Sequence, residues 1–142
     1  RHEVLLVDLD DRFGHHGCIG LVLLDRSEPN WRVRLLLTSC RVLPYGVGTL
    51  LLHWLIEATR PSGHSLLGDY VANERNRAML VAYRFAGFRI RSQVGDRFEL
   101  EHPLKSAQPW PAHVELSAPD LLQALPRPRA RRPHAVVKRL AE

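Results

Sequence analysis

Residues 31–60 constrain this chain more than any other stretch. A strand-like run, Trp31-Arg-Val-Arg-Leu-Leu-Leu-Thr-Ser-Cys40, leads through Arg41-Val-Leu-Pro-Tyr-Gly-Val-Gly48 into a segment with apolar residues at Val47, Leu50, Leu51, Trp54, Leu55 and Ala58. That i, i+3, i+4, i+7 spacing is one face of a helix. Gly46 and Gly48 therefore fall where a strand hands over to a helix. Unpaired backbone N–H groups and the positive end of the helix can hold a phosphate there. A tight turn asks for the same glycines, so this feature by itself does not decide between the two.

The remaining elements can be placed around that turn. Residues 3–10 (Glu-Val-Leu-Leu-Val-Asp-Leu-Asp) read as a strand whose apolar run is long enough to be buried on both faces. Asp11-Arg-Phe-Gly-His-His-Gly17 breaks it, and residues 18–24 form a second strand closed by Asp25-Arg-Ser-Glu-Pro-Asn30. Pro61-Ser-Gly63 stops the first helix and residues 65–71 return as a fourth strand. Asn73 is the expected N-cap, with Glu74 in the first turn, of a helix running to about residue 86. Its buried stripe would be Ala78, Met79, Ala82, Tyr83 and Ala86, and Gly87 ends it. Residues 88–94 and 97–101 then form a hairpin across Gly95-Asp96. The predicted order is β-β-β-α-β-α-β-β, an α/β (α+β) chain with a mixed, mostly antiparallel sheet and flanking helices.

With 142 residues, 45% of them hydrophobic, the chain can bury one core but hardly two. The longest apolar run, residues 50–56, contains His53 and is far too short to span a membrane. The chain opens on Arg1-His-Glu without a Met, so it reads as cut from something longer or processed, and no signal peptide is read in it. Cys18 and Cys40 sit in apolar, strand-like surroundings, which points to reduced thiols in a cytoplasm.

The net charge of +5 suggests nucleic acid until its location is considered. From Leu104 onward there are seven Lys or Arg against three acids, which leaves only +1 for the first 103 residues. Nucleic acid is therefore not an expected partner. Six of the ten prolines also lie beyond residue 104, and Arg127-Pro-Arg-Ala-Arg-Arg-Pro133 cannot bury a core. The expected division is a domain over residues 1–103 and a tail over 104–142. Within the tail, residues 103–114 would lie extended over the domain, and Ser117-Ala-Pro-Asp120 would start a short helix carrying Leu121, Leu122 and Leu125 that docks on it. The arginines would stay solvated. Deleting everything after Leu125 should then leave the melting temperature nearly unchanged.

The Gly-x-Gly turn resembles the pyrophosphate-binding loop of the GCN5-related N-acetyltransferase (GNAT) fold. Asn76-x-x-Met79-x-x-x-Tyr83-x-x-x-Gly87-Phe88 is similar to a second pattern of that fold, in the right order and one helix and one strand further on. The resemblance covers about residues 4–100. Asp11-Arg-Phe-Gly-His-His-Gly17, Ser39-Cys-Arg-Val-Leu43, and Gly68-Asp-Tyr70 followed by Asn76 look closer still to the C-terminal, GNAT-like half of FkbH-like proteins. Those proteins join a phosphatase-type domain to such a half and load a glyceryl unit onto an acyl carrier protein in polyketide pathways. Several positions depart from these patterns. The first strand and helices that a GNAT domain places before Val4 are missing, as is the phosphatase half. Gly48 stands where FkbH-like proteins carry an acid, and Leu43 and Pro44 lack the polar lead-in of most acetyltransferases.

The resemblance implies an acyltransferase using a thioester of coenzyme A, acetyl-CoA included, or of phosphopantetheine on a carrier protein. The acceptor would be a small molecule or that carrier. Leu43, Tyr45, Gly46, Val47, Gly48, Thr49 and Asn76 would bind the donor, and Asp11, Arg12, His15 and His16 would flank the acceptor. Tyr83 would be the general acid, able to protonate a departing thiolate because its pKa lies above that of the thiol. The alternative for Tyr83 is a ring packed on a helix face. Cys40 would be an acyl-carrying nucleophile, or else a small buried hydrophobe. Asp69 would be a base beside the cleft, or else a turn residue. His15, His16, Cys18 and Cys40 lack the spacing of a closed metal site, so no metal is expected.

Two rivals stand beside this reading. One is a non-catalytic module that only holds a carrier protein or a neighbouring domain. The other is a fragment of a HAD-type phosphatase, because Val4-Leu-Leu-Val-Asp-Leu-Asp10 resembles that family's first motif, with Asp8 as nucleophile and Asp10 as acid.

Overall fold

The computed structural model describes residues 2–11, 13–27, 29–39, 41, 46–62, 64–105, 115–117 and 134–139. Three strands come first: β1 (His2–Asp11), β2 (Gly14–Asp25) and β3 (Trp31–Thr38). Helix α1 (Val47–Thr59), strand β4 (Leu66–Val71), helix α2 (Arg77–Phe85), and strands β5 (Arg89–Val94) and β6 (Arg97–His102) follow in the predicted order. Two further strands, β7 (Glu115–Ser117) and β8 (His134–Arg139), were not expected. All eight join one sheet in the order β5-β6-β4-β3-β2-β1-β8-β7. Neighbours are antiparallel except β3 with β4 and β7 with β8.

Both helices cover the same face, here called the inner face. Leu5, Val7 and Leu9 of β1, Val22 and Leu24 of β2, Val33 and Leu36 of β3, and Leu66 of β4 turn into the core that α1 fills. The expected stripe of α1 is too narrow. Leu52, His53, Ile56 and Thr59 are buried as well, and the Thr59 hydroxyl is satisfied by donating to the Leu55 carbonyl at 2.8 Å. Each fully buried leucine contributes about 1.5–3 kcal/mol, so this one helix supplies much of the core.

Helix α2 starts at Arg77, three residues later than an Asn73 cap would give. The Asn73 side chain instead accepts from the Arg75 N–H at 2.8 Å, a local turn that competes with helix. The far end of α2 is as expected. Gly87 takes φ +99°, its N–H bonds the Arg84 carbonyl, and the Phe88 N–H reaches back to the Tyr83 carbonyl. That is a Schellman closure, and its usual apolar contact is the Phe88 ring edge-on to Tyr83 with centroids 5.0 Å apart. The β5-β6 turn falls at Gly95 (φ +60°) and Asp96.

The tail reading needs correction. Strand β8 lies between β1 and β7, with Ala135 fully buried and Val137 3% exposed on the inner face. Its short apolar alternation, set among arginines and prolines, pairs with β1, whose edge would otherwise be bare. Ser117, the proposed helix start, closes β7. The helix carrying Leu121, Leu122 and Leu125, and residues 106–114, lie outside the described residues.

The phosphatase rival is also corrected. Strand β1 is antiparallel to both neighbours, Asp8 is held by the Lys138 ammonium at 2.6 Å, and Asp10 is paired with His15. The two carboxylates that would serve as nucleophile and acid are thus tied into the sheet.

Candidate functional site

The site is made by a parting of strands. β3 and β4 pair in parallel at Trp31 with Leu66, Arg32 with Leu67, and Val33 with Gly68, and then separate. The cause lies one strand away. β2 places Leu23 opposite Leu35 and Leu24 opposite Val33, so Arg34 is an extra residue in β3. Such a bulge bends its strand and increases its twist. Beyond it, residues 35–38 of β3 face residues 69–71 of β4 with no ladder between them. The cleft so formed has a volume of about 740 Å³ and is closed on one side by α2 through Ala78, Met79 and Tyr83. Each wall is a strand edge with backbone donors and acceptors left over, which suits an extended ligand that itself carries amides.

A second hollow of about 250 Å³ lies at the start of α1 and shares Thr38, Ala78 and Met79 with the cleft. Gly46, in the left-handed conformation (φ 66°, ψ 31°), precedes the helix, and its carbonyl accepts the first helical bond from Leu50 at 3.0 Å. Among the described residues no side chain caps this end, and its first turn holds no acid, so the amides of Val47, Gly48 and Thr49 are available to an anion. A Cβ on Gly48 would meet Met79 at 3.7 Å, an ordinary contact, so the fold itself does not demand glycine there.

Tyr83 lies where α2 crosses the cleft. Its ring is fixed between Phe88 and the backbone of Gly68, where a Cβ would stand 2.9 Å from the ring and 3.3 Å from the hydroxyl. Tyr83 is 1% exposed, and its hydroxyl finds no hydrogen-bond partner among the described residues. Burial pushes its pKa well above that of a free phenol, and the nearby Asp69 charge adds to the shift. It therefore stays neutral near pH 7, a hydroxyl with a proton to donate. Phe88 in turn packs on His102, whose Nδ1 accepts from the Leu104 N–H at 3.0 Å.

Asp69 is not free to act as a base. One carboxylate oxygen takes Arg32 at 2.6 Å and the other takes Arg34 at 3.0 Å, and these arginines continue to Glu99 and Asp25. This ladder of charges crosses the sheet at the point where β3 and β4 part. Asn76 lines the cleft, but its side chain is engaged within its own loop. Its oxygen accepts from the Tyr70 hydroxyl at 2.8 Å and the Asn73 N–H at 2.9 Å, and its amide donates to the Val71 carbonyl at 2.7 Å. One amide hydrogen is left for a ligand.

Asp11, His15 and His16 lie in the β1-β2 hairpin, with His16 3.0 Å from Asp11 and His15 paired with Asp10. They line neither cavity. Arg12, Cys40, Leu43 and Tyr45 fall outside the described residues. The structure thus brings Gly46, Val47, Gly48, Thr49, Asn76 and Tyr83 together and leaves the acceptor-side residues apart. Sequence reasoning missed Thr38, Gly68 and the arginine ladder. A glycine inside a strand marks close approach of another group, so Gly68 carried a readable signal. Among the described residues no group of three or more His, Cys, Asp or Glu is placed to hold a metal, and no helix is long and apolar enough to cross a membrane.

No protein-family model matches this chain, and no curated protein matches it in sequence. Solved structures do match in fold. The ribosomal-protein-S18-alanine N-acetyltransferase of Escherichia coli is 16% identical at a TM-score of 0.52, covering 66% of each chain. Ard1 of Thermoplasma volcanium is 17% identical at 0.50, covering 61% of this chain and 63% of that one. The PaiA N-acetyltransferase of Thermoplasma acidophilum, solved in complex with coenzyme A, is 18% identical at 0.50, covering 60% and 53%. The chain has the GNAT fold, and the matched part spans between half and two thirds of these enzymes' length.

Proposed function

We propose that a chain of this fold with this cleft is an acyltransferase domain that takes an acyl thioester of coenzyme A or phosphopantetheine as donor. The observation that carries the reading is the orphaned Tyr83 hydroxyl, buried and protonated at the wall of a cleft that runs into an uncapped helix start. A buried hydroxyl without a partner costs about 1–3 kcal/mol, which a fold keeps where a ligand completes it.

The residues present fit such a donor. The amides of Val47, Gly48 and Thr49 would hold its phosphates, and the edges of β3 and β4 would align the amide-bearing arm. When bound, the thioester supplies an activated carbonyl and a sulfur leaving group. Tyr83 holds the proton that a departing thiolate needs and excludes water from that point by its own burial. Asn76 keeps the β4-α2 loop in place and offers its one remaining amide hydrogen. Backbone N–H groups on the β3 edge can polarise a carbonyl laid along them. A carrier protein as partner, a glyceryl-type acyl group and a role in polyketide biosynthesis are proposed on the motif likeness alone, as is an upstream catalytic domain in a longer protein.

Calorimetric titration with coenzyme A and with a phosphopantetheinylated carrier protein tests this. Binding of either is expected, and Gly46→Val, which forces a β-branched residue to positive φ at the helix start, should abolish it. Tyr83→Phe should leave affinity unchanged and lower turnover about 10²-fold or more. If the parent binds neither donor, the reading fails. The second reading, a non-catalytic binding module, is favoured by the capture of Asp69 between two arginines. It predicts donor binding with no transfer and no effect of Tyr83→Phe.

A further inference from the structure

The arginines of this chain fall into two groups. Arg26, Arg32, Arg34, Arg60, Arg89 and Arg91 each meet a carboxylate within 3.7 Å. Arg75, Arg77 and Arg84 meet none among the described residues. The sequence explains the difference. Residues 75–95 hold five arginines and no Asp or Glu, and Glu74 comes just before them. Arg89 and Arg91 find their acids on β6, but α2 has none of its own to pair with.

The unpaired charges lie beside exposed apolar side chains. Arg77, Val81, Arg84 and Phe85 follow at i, i+4, i+7 and i+8, which is one side of a helix and lies away from the buried Tyr83. All four are exposed, Val81 by 46% and Phe85 by 76%. The two arginines are separated by about 10 Å of helix. A convex helix side offers no hollow for a small ligand. Arginine and aromatic side chains set around exposed apolar surface are instead the composition of a protein interface. The stripe also adjoins the site on both sides. Val81 and Phe85 line the hollow at the start of α1, and Arg75, on the turn before α2, lines the cleft.

We propose, resting on the reading of the cleft as a phosphopantetheine thioester site, that this side of α2 is where the donor's carrier protein docks. The motif likeness leaves open where such a protein would sit. The partner is an acidic helical surface, with carboxylates that meet Arg77 and Arg84 and apolar side chains that cover Val81 and Phe85. Seated there, it stands beside both cavities and delivers its arm without crossing the rest of the molecule. Nucleic acid would leave Val81 uncovered and find too few cations, since strong binding to a phosphate backbone takes on the order of six contacts or more. Coenzyme A needs neither Arg77 nor Arg84, because they line neither cavity.

The test titrates the full chain and its Arg77→Gln/Arg84→Gln variant calorimetrically with coenzyme A and with a phosphopantetheinylated acyl carrier protein of acidic surface. The variant should lose about tenfold in carrier affinity and keep its affinity for coenzyme A, and the parent's carrier affinity should fall as salt rises from about 0.05 M to about 0.5 M. Arg77→Lys/Arg84→Lys, which keeps both charges, should bind the carrier within a few-fold of the parent and so separates lost docking from lost folding. If the parent binds coenzyme A but ignores the carrier, or if the Gln variant holds the carrier as tightly as the parent, the docking face is overturned and the acyl-donor reading stands. Equal loss of both donors in the Gln variant overturns the docking face as well. Binding of neither donor by the parent overturns both. An oligonucleotide that binds through these arginines more tightly than the carrier assigns the stripe to nucleic acid and also overturns the proposal.

Discussion

The β1-β2 hairpin and the β5-β6 hairpin are both antiparallel pairs in one sheet, yet they are opposite in design. β1 has Leu5, Val7 and Leu9 in the core and Val4 and Leu6 on its other side, whereas every residue of β5 is exposed and its partners across the turn include the charged Arg97, Glu99 and Glu101. One half of the sheet carries large apolar residues on both faces and the other on one face only. The cleft opens where the halves meet, between β3 and β4. A region apolar on both faces holds β3, while an ion-paired region holds β4.

The sharpest way to break the comparison is to unmake the two-sided half. Ending the chain at Pro133 removes β8, strips two buried side chains from the core and bares the whole outer edge of β1. A loss of cooperative melting, or a drop of well over 10 °C by circular dichroism, is expected. A melt within a few degrees of the parent would mean that β1 does not need this neighbour.

At the boundary, Gly68→Ala places a methyl 2.9 Å from the Tyr83 ring. The ring is held by Phe88 on its other side, so the strain should cost about 1–3 kcal/mol in denaturant unfolding and displace the hydroxyl. Full stability in this variant would show that the ring has room to move.

The one-sided half should respond to acid first. His102 is buried, and its pKa is held below the ordinary value chiefly by that burial, with the Arg60 charge adding to it. The folded state resists the proton that the unfolded chain accepts, so stability is complete above about pH 6.5 and falls as pH drops through that value. His53, buried on α1 with its pKa lowered the same way, adds to the slope. His102→Gln should flatten the dependence of the urea midpoint between pH 7.5 and pH 5. A slope unchanged by the substitution would assign it elsewhere.

The smallest effect is expected at Asp69→Asn. Its ion pairs are partly exposed and screened by salt, so the loss should stay below about 1 kcal/mol and shrink further in 0.5 M salt. A larger loss that salt does not reduce would make the ladder a structural clasp on the cleft.

Much of this was legible in the residues. The apolar run of β1 announced a strand, although its burial alternates rather than covering both faces, with Leu5, Val7 and Leu9 buried and Val4 and Leu6 half-buried, and the Gly46-x-Gly48 turn announced a helix start. Tyr83, Gly87 and Phe88 announced a helix end that fixes a tyrosine. What was not legible depended on partners far away in the chain. The bulge at Arg34 is set by register with β2, the start of α2 by a local turn at Asn73, and the capture of Asp69 by arginines on another strand. β8 was hidden because six residues of alternation among prolines and arginines form a strand only when β1 offers them an edge.

That last pairing also bears on how the molecule comes into being. Asp8 and Lys138 are 130 residues apart in the chain, yet they join neighbouring strands. A ribosome would release β1 and β2 long before the strand that closes them exists. The nascent hairpin must therefore wait with a greasy, unpaired border, and contacts of such long sequence separation form slowly. Refolding of this protein should be slow for its size and prone to clumping at high concentration, with the docking of residues 134–139 as the late event.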